Sequence, residues 1–279
     1  MTTDRDKLRN YYAQFDEWGR KDSAVGRFEF ERGLELITSH VEDGGHLLDL
    51  GGGAGRYTIA LAESGYEVTL ADLSPRLLRQ ARQFIAEAGV DERIASIDEV
   101  DATDLNRYDD GSFDAVVAFG PFYHLTLQQE RARAAAEINR VLRPGGIVLA
   151  AFIPWQSGVS ALIHRAAHAP EQVDATTFER AYRRGVFHNA DEAGFQEGYY
   201  ARPEQMQRLF EDAGFDTTGL ISLRGLADVH ASLLGDLKGD LRQAVFDAVE
   251  DCAGDRDIVA SCGHAVYVGR YNTLGLKDQ

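Results

Sequence analysis

The chain has 279 residues, of which 44% are apolar, and its formal net charge at pH 7 is −16. This composition excludes a disordered chain and allows one large α/β domain with an elaboration, or two small domains. The acidic charge argues against a nucleic-acid partner, because such proteins carry a basic face and none is visible here. The polar N-terminus and the lack of an apolar run of about 18 residues favour a cytoplasmic protein with no membrane span.

Neither the cysteines nor the histidines have the sequence spacing of a metal site. Cys252 and Cys262 are too few for a disulfide framework, and they fit a reducing compartment. His164 and His168 stand four residues apart on a predicted helix, but no third ligand lies near them in sequence. We therefore predict that the protein binds no metal.

Strand-like and helix-like segments alternate along the first half of the chain, which indicates a parallel sheet with helices on both faces. Ser74 is suited to cap one of the helices, with Pro75 at its first position and Gly89 after its end. The predicted elements are strand His46 to Leu50, helix Arg56 to Ser64, strand Glu67 to Ala71, helix Pro75 to Ala88, strand Ala95 to Val100, strand Phe113 to Phe119, helix Gln128 to Leu142 and strand Ile147 to Phe152.

This alternation stops after Pro154. Residues 155–201 contain helix-like patches, Ser160 to Ala167 and Thr177 to Arg184, and no convincing strand, so we interpret them as an inserted helical lid that caps the substrate. Alternation resumes with helix Pro203 to Ala213, strand Thr218 to Leu223, helix Asp236 to Asp251 and strand His264 to Gly269. The predicted organisation is therefore a helical cap over residues 1–40, a core of residues 41–154 and 202–273, and the insert between them.

Candidate binding residues follow the predicted strands, where open α/β sheets bind their ligands. Asp49-Leu-Gly-Gly-Gly-Ala-Gly55 follows the first strand, and its glycines let the backbone turn tightly and approach a ligand. Asp72 follows the second strand, about twenty residues after that turn, where a carboxylate can accept hydrogen bonds from both ribose hydroxyls. Asp101 follows the third strand, where it can accept from an adenine amino group, and the apolar turn Phe119 to His124 follows the fourth.

A glycine turn followed by Asp72 also fits enzymes that bind dinucleotides, so these two features leave the cofactor class open. From Gly51 the pattern is G-x-G-x-G, and Arg56 stands where a G-x-G-x-x-G motif needs its third glycine. This departure disfavours a pyrophosphate cofactor. An NAD-dependent dehydrogenase is therefore the weaker alternative.

Over Gly44 to Phe152 the sequence resembles the class I S-adenosylmethionine-dependent methyltransferases. The matching stretches are Leu47 to Gly55, Leu70 to Pro75, Asp101-Ala102, Phe113 to Gly120 and Val141 to Ile147. A weaker similarity, between Phe187 and Phe215, is to a bacterial and archaeal subgroup of undefined substrate. The resemblance implies a Rossmann-like, doubly wound sheet of seven strands, mostly parallel with an antiparallel last strand, and S-adenosylmethionine as cofactor.

The resemblance also implies which residues contact the cofactor. In chain order, they would hold the methionine moiety, then the ribose and adenine, then the region near the sulfonium. These residues are Asp49, Gly51, Gly53, Gly55, Asp72, Leu73, Asp101, Ala102, Phe119 and Gly120. By its position alone, Tyr11 or Tyr12 would close over the cofactor from the N-terminal helix.

Methyl transfer requires alignment and exclusion of water, and it needs a general base only when the acceptor must lose a proton. His124 is our first candidate for that base, because it lies at the mouth of the predicted site and histidine titrates near neutral pH. Tyr123 beside it would orient an acceptor. His188 and Tyr200, in the predicted lid, are candidates to contact the substrate, whereas we expect His264 to be structural.

We therefore predict an enzyme that moves a methyl group to a small-molecule acceptor by in-line displacement. A different class of protein, a module that binds S-adenosylmethionine without transferring its methyl group, stays open because intact motifs predict binding and not turnover.

Overall fold

A computed structural model describes residues 5–14, 17–20, 23–188, 197–228, 230 and 237–272. Its strands are β1 (His46–Leu50), β2 (Glu67–Asp72), β3 (Ile94–Glu99), β4 (Phe113–Ala118), β5 (Leu142–Pro154), β6 (Val186–His188), β7 (Glu197–Ala201), β8 (Phe215–Ser222) and β9 (Ala265–Tyr271). Its helices are α1 (Arg5–Gln14), α2 (Glu17–Arg20), α3 (Ala24–His40), α4 (Arg56–Glu63), α5 (Pro75–Ala88), α6 (Gln128–Val141), α7 (Trp155–His168), α8 (Ala175–Arg184), α9 (Pro203–Asp212), α10 (Gly239–Asp251) and α11 (Arg256–Ser261).

The strands form one nine-stranded sheet. Strands β3, β2, β1, β4 and β5 lie side by side in that order and pair in parallel. β9 pairs antiparallel with β5 on one side and with β8 on the other, so β8 has the direction of the central strands. The predicted fold class, a mostly parallel seven-stranded sheet with an antiparallel last strand, is confirmed, and β6 and β7 extend it.

Helices cover both faces of the sheet, because neighbouring side chains of a buried strand point to opposite faces. In β1, Leu48 belongs to an apolar cluster that includes Ile138 of α6. Leu47, one residue earlier, belongs to a second cluster with Ile37 of α3 and Leu61 of α4. The sheet is therefore wound on both sides, and its strand ends are left to form the site. Within the described residues, no helix is long and apolar enough to cross a bilayer.

The prediction that residues 155–201 contain no strand was wrong. β7 pairs in parallel with the end of β5, Ile153 with Tyr200 and Pro154 with Ala201, and antiparallel with β6. All five residues of β7 are buried, so its sequence lacks the polar and apolar alternation by which a half-buried strand is detected. The insert is therefore mixed, with α7 and α8 beside a small extension of the sheet.

Two further differences arise from short-range geometry. β5 begins at Leu142, before the predicted strand start at Ile147, because Leu142 pairs with Phe113 ahead of a register shift. The six-residue helix α11 was not predicted; it is fixed by the Asp255 side chain, which accepts hydrogen bonds from the amides of Asp257 and Ile258. The predicted start of α10, Asp236, lies outside the described residues.

Candidate functional site

A pocket runs along the edge where the parallel strands end. Antiparallel β9 begins at the same edge, because Ala265 pairs with Phe152 near the end of β5. The predicted site residues that line the pocket are Asp49, Gly51, Gly53, Asp72, Leu73, Asp101, Ala102, Phe119, Gly120, Tyr12, Tyr123 and His124. The chain thus brings together residues that follow four different strands, together with a tyrosine from α1.

The glycine turn after β1 presents its backbone to the pocket. Gly51 has φ +75° and Gly53 has φ +60°, conformations that side chains with a Cβ rarely adopt. A Cβ on Gly51 would lie 2.9 Å from Cδ of Pro121, in the turn after β4. The amide of Gly51 donates a hydrogen bond to the carbonyl of Ala71 at 2.7 Å. The hydrogen bond fixes the glycine turn to the end of β2, and the lack of a Cβ at Gly51 lets the turn after β4 lie against it.

The Asp72 carboxylate is fixed at the end of β2 by the backbone. Its Oδ2 accepts a hydrogen bond from the amide of Gly53 at 2.9 Å, and its Oδ1 accepts one from the amide of Ser74 at 2.8 Å. The residue is only 9% exposed. A buried carboxylate held in one orientation is suited to accept a pair of hydrogen bonds from vicinal hydroxyls.

The Asp49 carboxylate is buried below the glycine turn, and the residue is 2% exposed. Its Oδ2 accepts a hydrogen bond from Oγ1 of Thr58, in α4, at 2.6 Å. Asp49 therefore connects the turn to the helix that follows it, in addition to lining the pocket.

Replacing Thr58 by valine tests this connection. Valine has a similar shape but no hydroxyl, so the buried carboxylate loses one partner, and we expect the free energy of unfolding to fall by about 1–3 kcal/mol. Urea denaturation measures the change. Thr38→Val is the matched control, because the Thr38 hydroxyl donates to a helix carbonyl at the surface and its loss should change stability by about 0.5 kcal/mol or less. Equal effects of the two variants would contradict the assignment.

Asp101 is paired with Arg5 of α1. The Arg5 Nε donates to Asp101 Oδ2 at 2.7 Å, and its Nη1 donates to Glu130 Oε1 at 2.8 Å. The amide and hydroxyl of Thr103 also donate to Asp101. Burial by itself raises the pKa of the Asp101 carboxyl, but the hydrogen bonds from Arg5 and Thr103 outweigh it, so the pKa is lowered overall. Asp101 is therefore an ionised acceptor at the end of β3.

His124 is buried, and its Nε2 lies 2.7 Å from the hydroxyl of Tyr12. Burial lowers the pKa of His124 from 6.5 to about 4. The premise that this histidine titrates near neutral pH is therefore wrong at this position, although its role as a base stays a prediction. The geometry favours a neutral imidazole that holds Tyr12 against the pocket.

This shift predicts that acid weakens the fold through His124. The unfolded chain takes up a proton near pH 6.5 and the folded chain only near pH 4, so stability is complete above pH 6.5 and falls as the pH drops through that window. We expect the His124 contribution to fall by about 2 kcal/mol between pH 7 and pH 5. Denaturation of His124→Asn at the two pH values should show a correspondingly shallower change. Parallel curves for the two proteins would refute the prediction.

Four predicted site residues are not among the described residues that line the pocket. Gly55 forms the left-handed turn that starts α4, and Tyr11 lies edge-on to the ring of Tyr12. Tyr200 is buried in an apolar cluster of the insert, which raises its pKa to about 12. His188 pairs through Nδ1 with Glu197 at 3.1 Å. These positions support architectural roles, and contact with a ligand stays a prediction for them.

The sequence reasoning missed several lining residues, most importantly Arg5, Glu29 and His264. His264 was expected to be structural, yet it directly precedes β9 and lines the pocket. The available signal was the antiparallel direction of the last strand, which brings its first residue to the binding edge. Arg5 and Glu29 come from helices, and no local motif indicates them. Within the described residues, no group of three or more His, Cys, Asp or Glu side chains has the arrangement of a metal site.

Comparison with known proteins finds relatives of part of the chain. The model of a methyltransferase domain matches residues 48–150. A glycine/sarcosine N-methyltransferase of Parasynechococcus marenigrum is 34% identical over 134 residues, 48% of this chain and 44% of the relative. A ubiquinone biosynthesis O-methyltransferase of Xanthomonas axonopodis pv. citri is 28% identical over 194 residues, 67% of this chain and 71% of the relative. The chain thus spans less than half of the first relative and about seven-tenths of the second.

The fold has solved counterparts. The 1,6-didemethyltoxoflavin-N1-methyltransferase of Burkholderia thailandensis, determined with 1,6-didemethyltoxoflavin and S-adenosylhomocysteine bound, aligns with a TM-score of 0.56 at 17% identity. The alignment covers 96% of this chain and 86% of that one. At this identity the likeness is one of fold, and it agrees with the sheet order and with the matched domain. Residues 48–150 match a methyltransferase domain, and the chain is similar to class I S-adenosylmethionine-dependent methyltransferases.

Proposed function

We propose that this chain is an enzyme that transfers a methyl group from S-adenosylmethionine to a small-molecule acceptor. The observation that carries the proposal is the fixed Asp72 carboxylate, held by the amides of Gly53 and Ser74 beside a glycine turn in the pocket. This arrangement is suited to bind the ribose of the cofactor at the carboxylate and its methionine moiety along the backbone of the turn.

The described residues fit S-adenosylmethionine along the pocket. Asp72 would accept hydrogen bonds from the ribose hydroxyls. Leu73 and Ala102 would contact the adenine, and Asp101 would accept a hydrogen bond from its amino group. The glycine turn would bind the methionine moiety. When bound, the cofactor supplies a methyl group on a cationic sulfur, which is activated toward a nucleophile without help from the protein.

The chain's own contribution is alignment and exclusion of water. Tyr12, held by His124, covers the pocket from α1, and Phe30, Tyr57 and Phe119 give it aromatic walls. A water-poor site strengthens the interactions that orient an acceptor and prevents competing hydrolysis. No group in this set has to act as an acid or base for the methyl group itself to move.

A small molecule is the class of acceptor that the surroundings favour. The pocket walls are largely aromatic and apolar, and the net charge of −16 disfavours nucleic acid. One relative is named for glycine and sarcosine, and the other for ubiquinone biosynthesis, so both names refer to small molecules.

We place the enzyme in the cytoplasm, in keeping with the unbridged Cys252 and Cys262. The division into a cap (1–40), a core (41–154 and 202–273) and an insert (155–201) is part of the same proposal.

Binding and turnover test the proposal separately. We expect isothermal titration to show binding of S-adenosylmethionine and S-adenosylhomocysteine, and no binding of NADH. We expect S-adenosylhomocysteine release with at least one of three acceptors, namely sarcosine, catechol or a naphthoquinol, which offer nitrogen, oxygen and carbon. Binding of NADH alone would support the dehydrogenase alternative. Cofactor binding without turnover on any of the acceptors would favour a binding module and contradict the transferase.

A further inference from the structure

The far end of the pocket holds an ion-pair cluster that the proposed cofactor contacts leave unused. His264 Nδ1 lies 2.7 Å from Glu29 Oε1, and Arg224 Nε donates to Glu29 Oε2 at 2.9 Å. Arg224 also pairs with Asp228 at 3.1 Å. His264 and Glu29 both line the pocket, and their side chains are 20% and 16% exposed. A histidine and a carboxylate paired in this way, at a pocket wall, form the arrangement that orients a general base.

We propose that His264 is the general base of this enzyme and that Glu29 positions it, so the acceptor is a nitrogen or oxygen nucleophile that must lose a proton. The inference rests on the proposed methyl transfer. It assigns to the acceptor end of the pocket a role that the sequence suggested for His124.

The position of His264 along the sheet edge supports this assignment. The cofactor residues follow β3, β2, β1 and β4, ending with Phe119 and Gly120, whereas His264 precedes β9, beyond β5. Neighbouring strands lie about 4.8 Å apart, so His264 stands about 10 Å beyond the turn after β4. The ring of Tyr123, from that turn, stacks on the His264 ring with centroids 6.0 Å apart. An acceptor at this end would have His264 and Tyr123 on one side.

The histidine is held in one tautomer by its partner. A carboxylate only accepts, so Nδ1 carries the proton that is donated to Glu29, and Nε2 is the nitrogen available to a ligand. The backbone is fixed as well, because the His264 carbonyl accepts from the amide of Leu223 at 3.1 Å and from the Cys262 thiol at 3.2 Å. Phe28, adjacent to Glu29 in α3, packs with Val249, which fixes the helix that carries the carboxylate.

The two histidines of the pocket differ in their partners. His264 Nδ1 lies 2.7 Å from the Glu29 carboxylate, and its side chain is 20% exposed. His124 is buried, its Nε2 lies 2.7 Å from the Tyr12 hydroxyl, and burial lowers its pKa to about 4. Of these two histidines, His264 is therefore the one with a carboxylate partner at the pocket wall.

The proton step balances as follows. The bond between hydrogen and the acceptor nitrogen or oxygen breaks, its electron pair stays on the acceptor, and the proton moves to Nε2 of His264. The freed pair forms the new bond to the methyl carbon, and the bond from carbon to sulfur breaks with its electrons on sulfur, which becomes neutral. The His264 imidazolium, opposite Glu29, then gives its proton to water.

The tautomer of His264 tests the geometry without an acceptor. In protein labelled with ¹⁵N-histidine, measured above the usual titration range of histidine, His264 should carry its proton on Nδ1. His264→Gln identifies its signals by their loss. In Glu29→Gln the amide oxygen stays toward the donor of Arg224, which turns the NH₂ toward Nδ1, so the proton should move to Nε2. A proton on Nε2 in the unaltered protein would overturn the inference.

Kinetics test the chemistry with sarcosine and catechol as acceptors. His264→Gln should bind S-adenosylmethionine with unchanged affinity, keep both KM values within about threefold, and lose about 100-fold or more in kcat. His168→Gln is the matched control, because His168 is exposed at the end of α7 and should leave kcat unchanged. Turnover that His264→Gln leaves intact, or turnover on the naphthoquinol carbon alone, overturns the base assignment. Cofactor binding with no turnover on any acceptor overturns the proposed function and the base with it.

Discussion

Asp72→Ala is expected to weaken the binding of S-adenosylmethionine about 100- to 1000-fold. The alanine removes a carboxylate that would accept two hydrogen bonds from the ribose, each worth about 1.5–3 kcal/mol because the acceptor is charged. Because the amides of Gly53 and Ser74 hold the carboxylate in place, ligand binding costs little conformational entropy at this side chain. Isothermal titration with S-adenosylmethionine and with S-adenosylhomocysteine gives the change directly.

The same substitution also removes the partner of two amides, so a control must separate binding from stability. Asp98 is a suitable match, since it is a buried carboxylate of the neighbouring strand that accepts from Ser96 and Tyr108 and is not among the described residues lining the pocket. We expect Asp98→Ala to lower stability and to keep the cofactor affinity within about twofold. A similar loss of affinity in both variants would show that the effect of Asp72→Ala comes from the fold.

The parts of the fold that could be predicted are those with local signals. Ser74, Pro75 and Gly89 delimit α5, and the helix observed, Pro75–Ala88, has the predicted bounds. β7 could not be predicted, because a strand that is buried on both faces has no alternation and its five residues are too few to identify it otherwise. Its pairing depends on the end of β5, which only the three-dimensional structure brings near.

The site residues also divide into those that the sequence indicates and those that it does not. Residues that follow parallel strands were identified because the topology places all such ends at one edge, as for Asp72 and Asp101. Arg5 and Glu29 were not identified, because each reaches the site from a helix, and their partners Asp101 and His264 lie 96 and 235 residues away. Local sequence patterns do not predict contacts between residues so far apart along the chain. The position of His264 could have been predicted, since an antiparallel last strand begins at the edge where the parallel strands end.

Arg5→Ala is expected to release α1 from the pocket. The change leaves the carboxylates of Asp101 and Glu130 without their guanidinium, which costs about 3 kcal/mol after allowance for their partial exposure. Undocking of α1 relieves this cost, because both carboxylates then gain water. We therefore expect hydrogen exchange in residues 5–14 to accelerate while the central sheet keeps its protection. Since Tyr12 leaves the pocket with the helix, S-adenosylmethionine should dissociate about 10- to 100-fold faster.

Arg9→Ala, on the same helix, shows whether the Arg5 pairs in particular hold α1. Arg9 pairs with Glu99 at 3.2 Å, with side chains 39% and 48% exposed, and its Nε donates to the Leu73 carbonyl at 3.3 Å. Water screens the ion pair and the second partner is a neutral carbonyl, so loss of the side chain should cost about 1–2 kcal/mol, less than the loss of Arg5. Stopped-flow dissociation should therefore be slower for Arg9→Ala than for Arg5→Ala by at least about threefold. Equal rates would mean that apolar contacts such as Leu8, and not the buried charges, keep α1 in place. In that case Leu8→Ala, and not Arg5→Ala, would be the variant that opens the pocket.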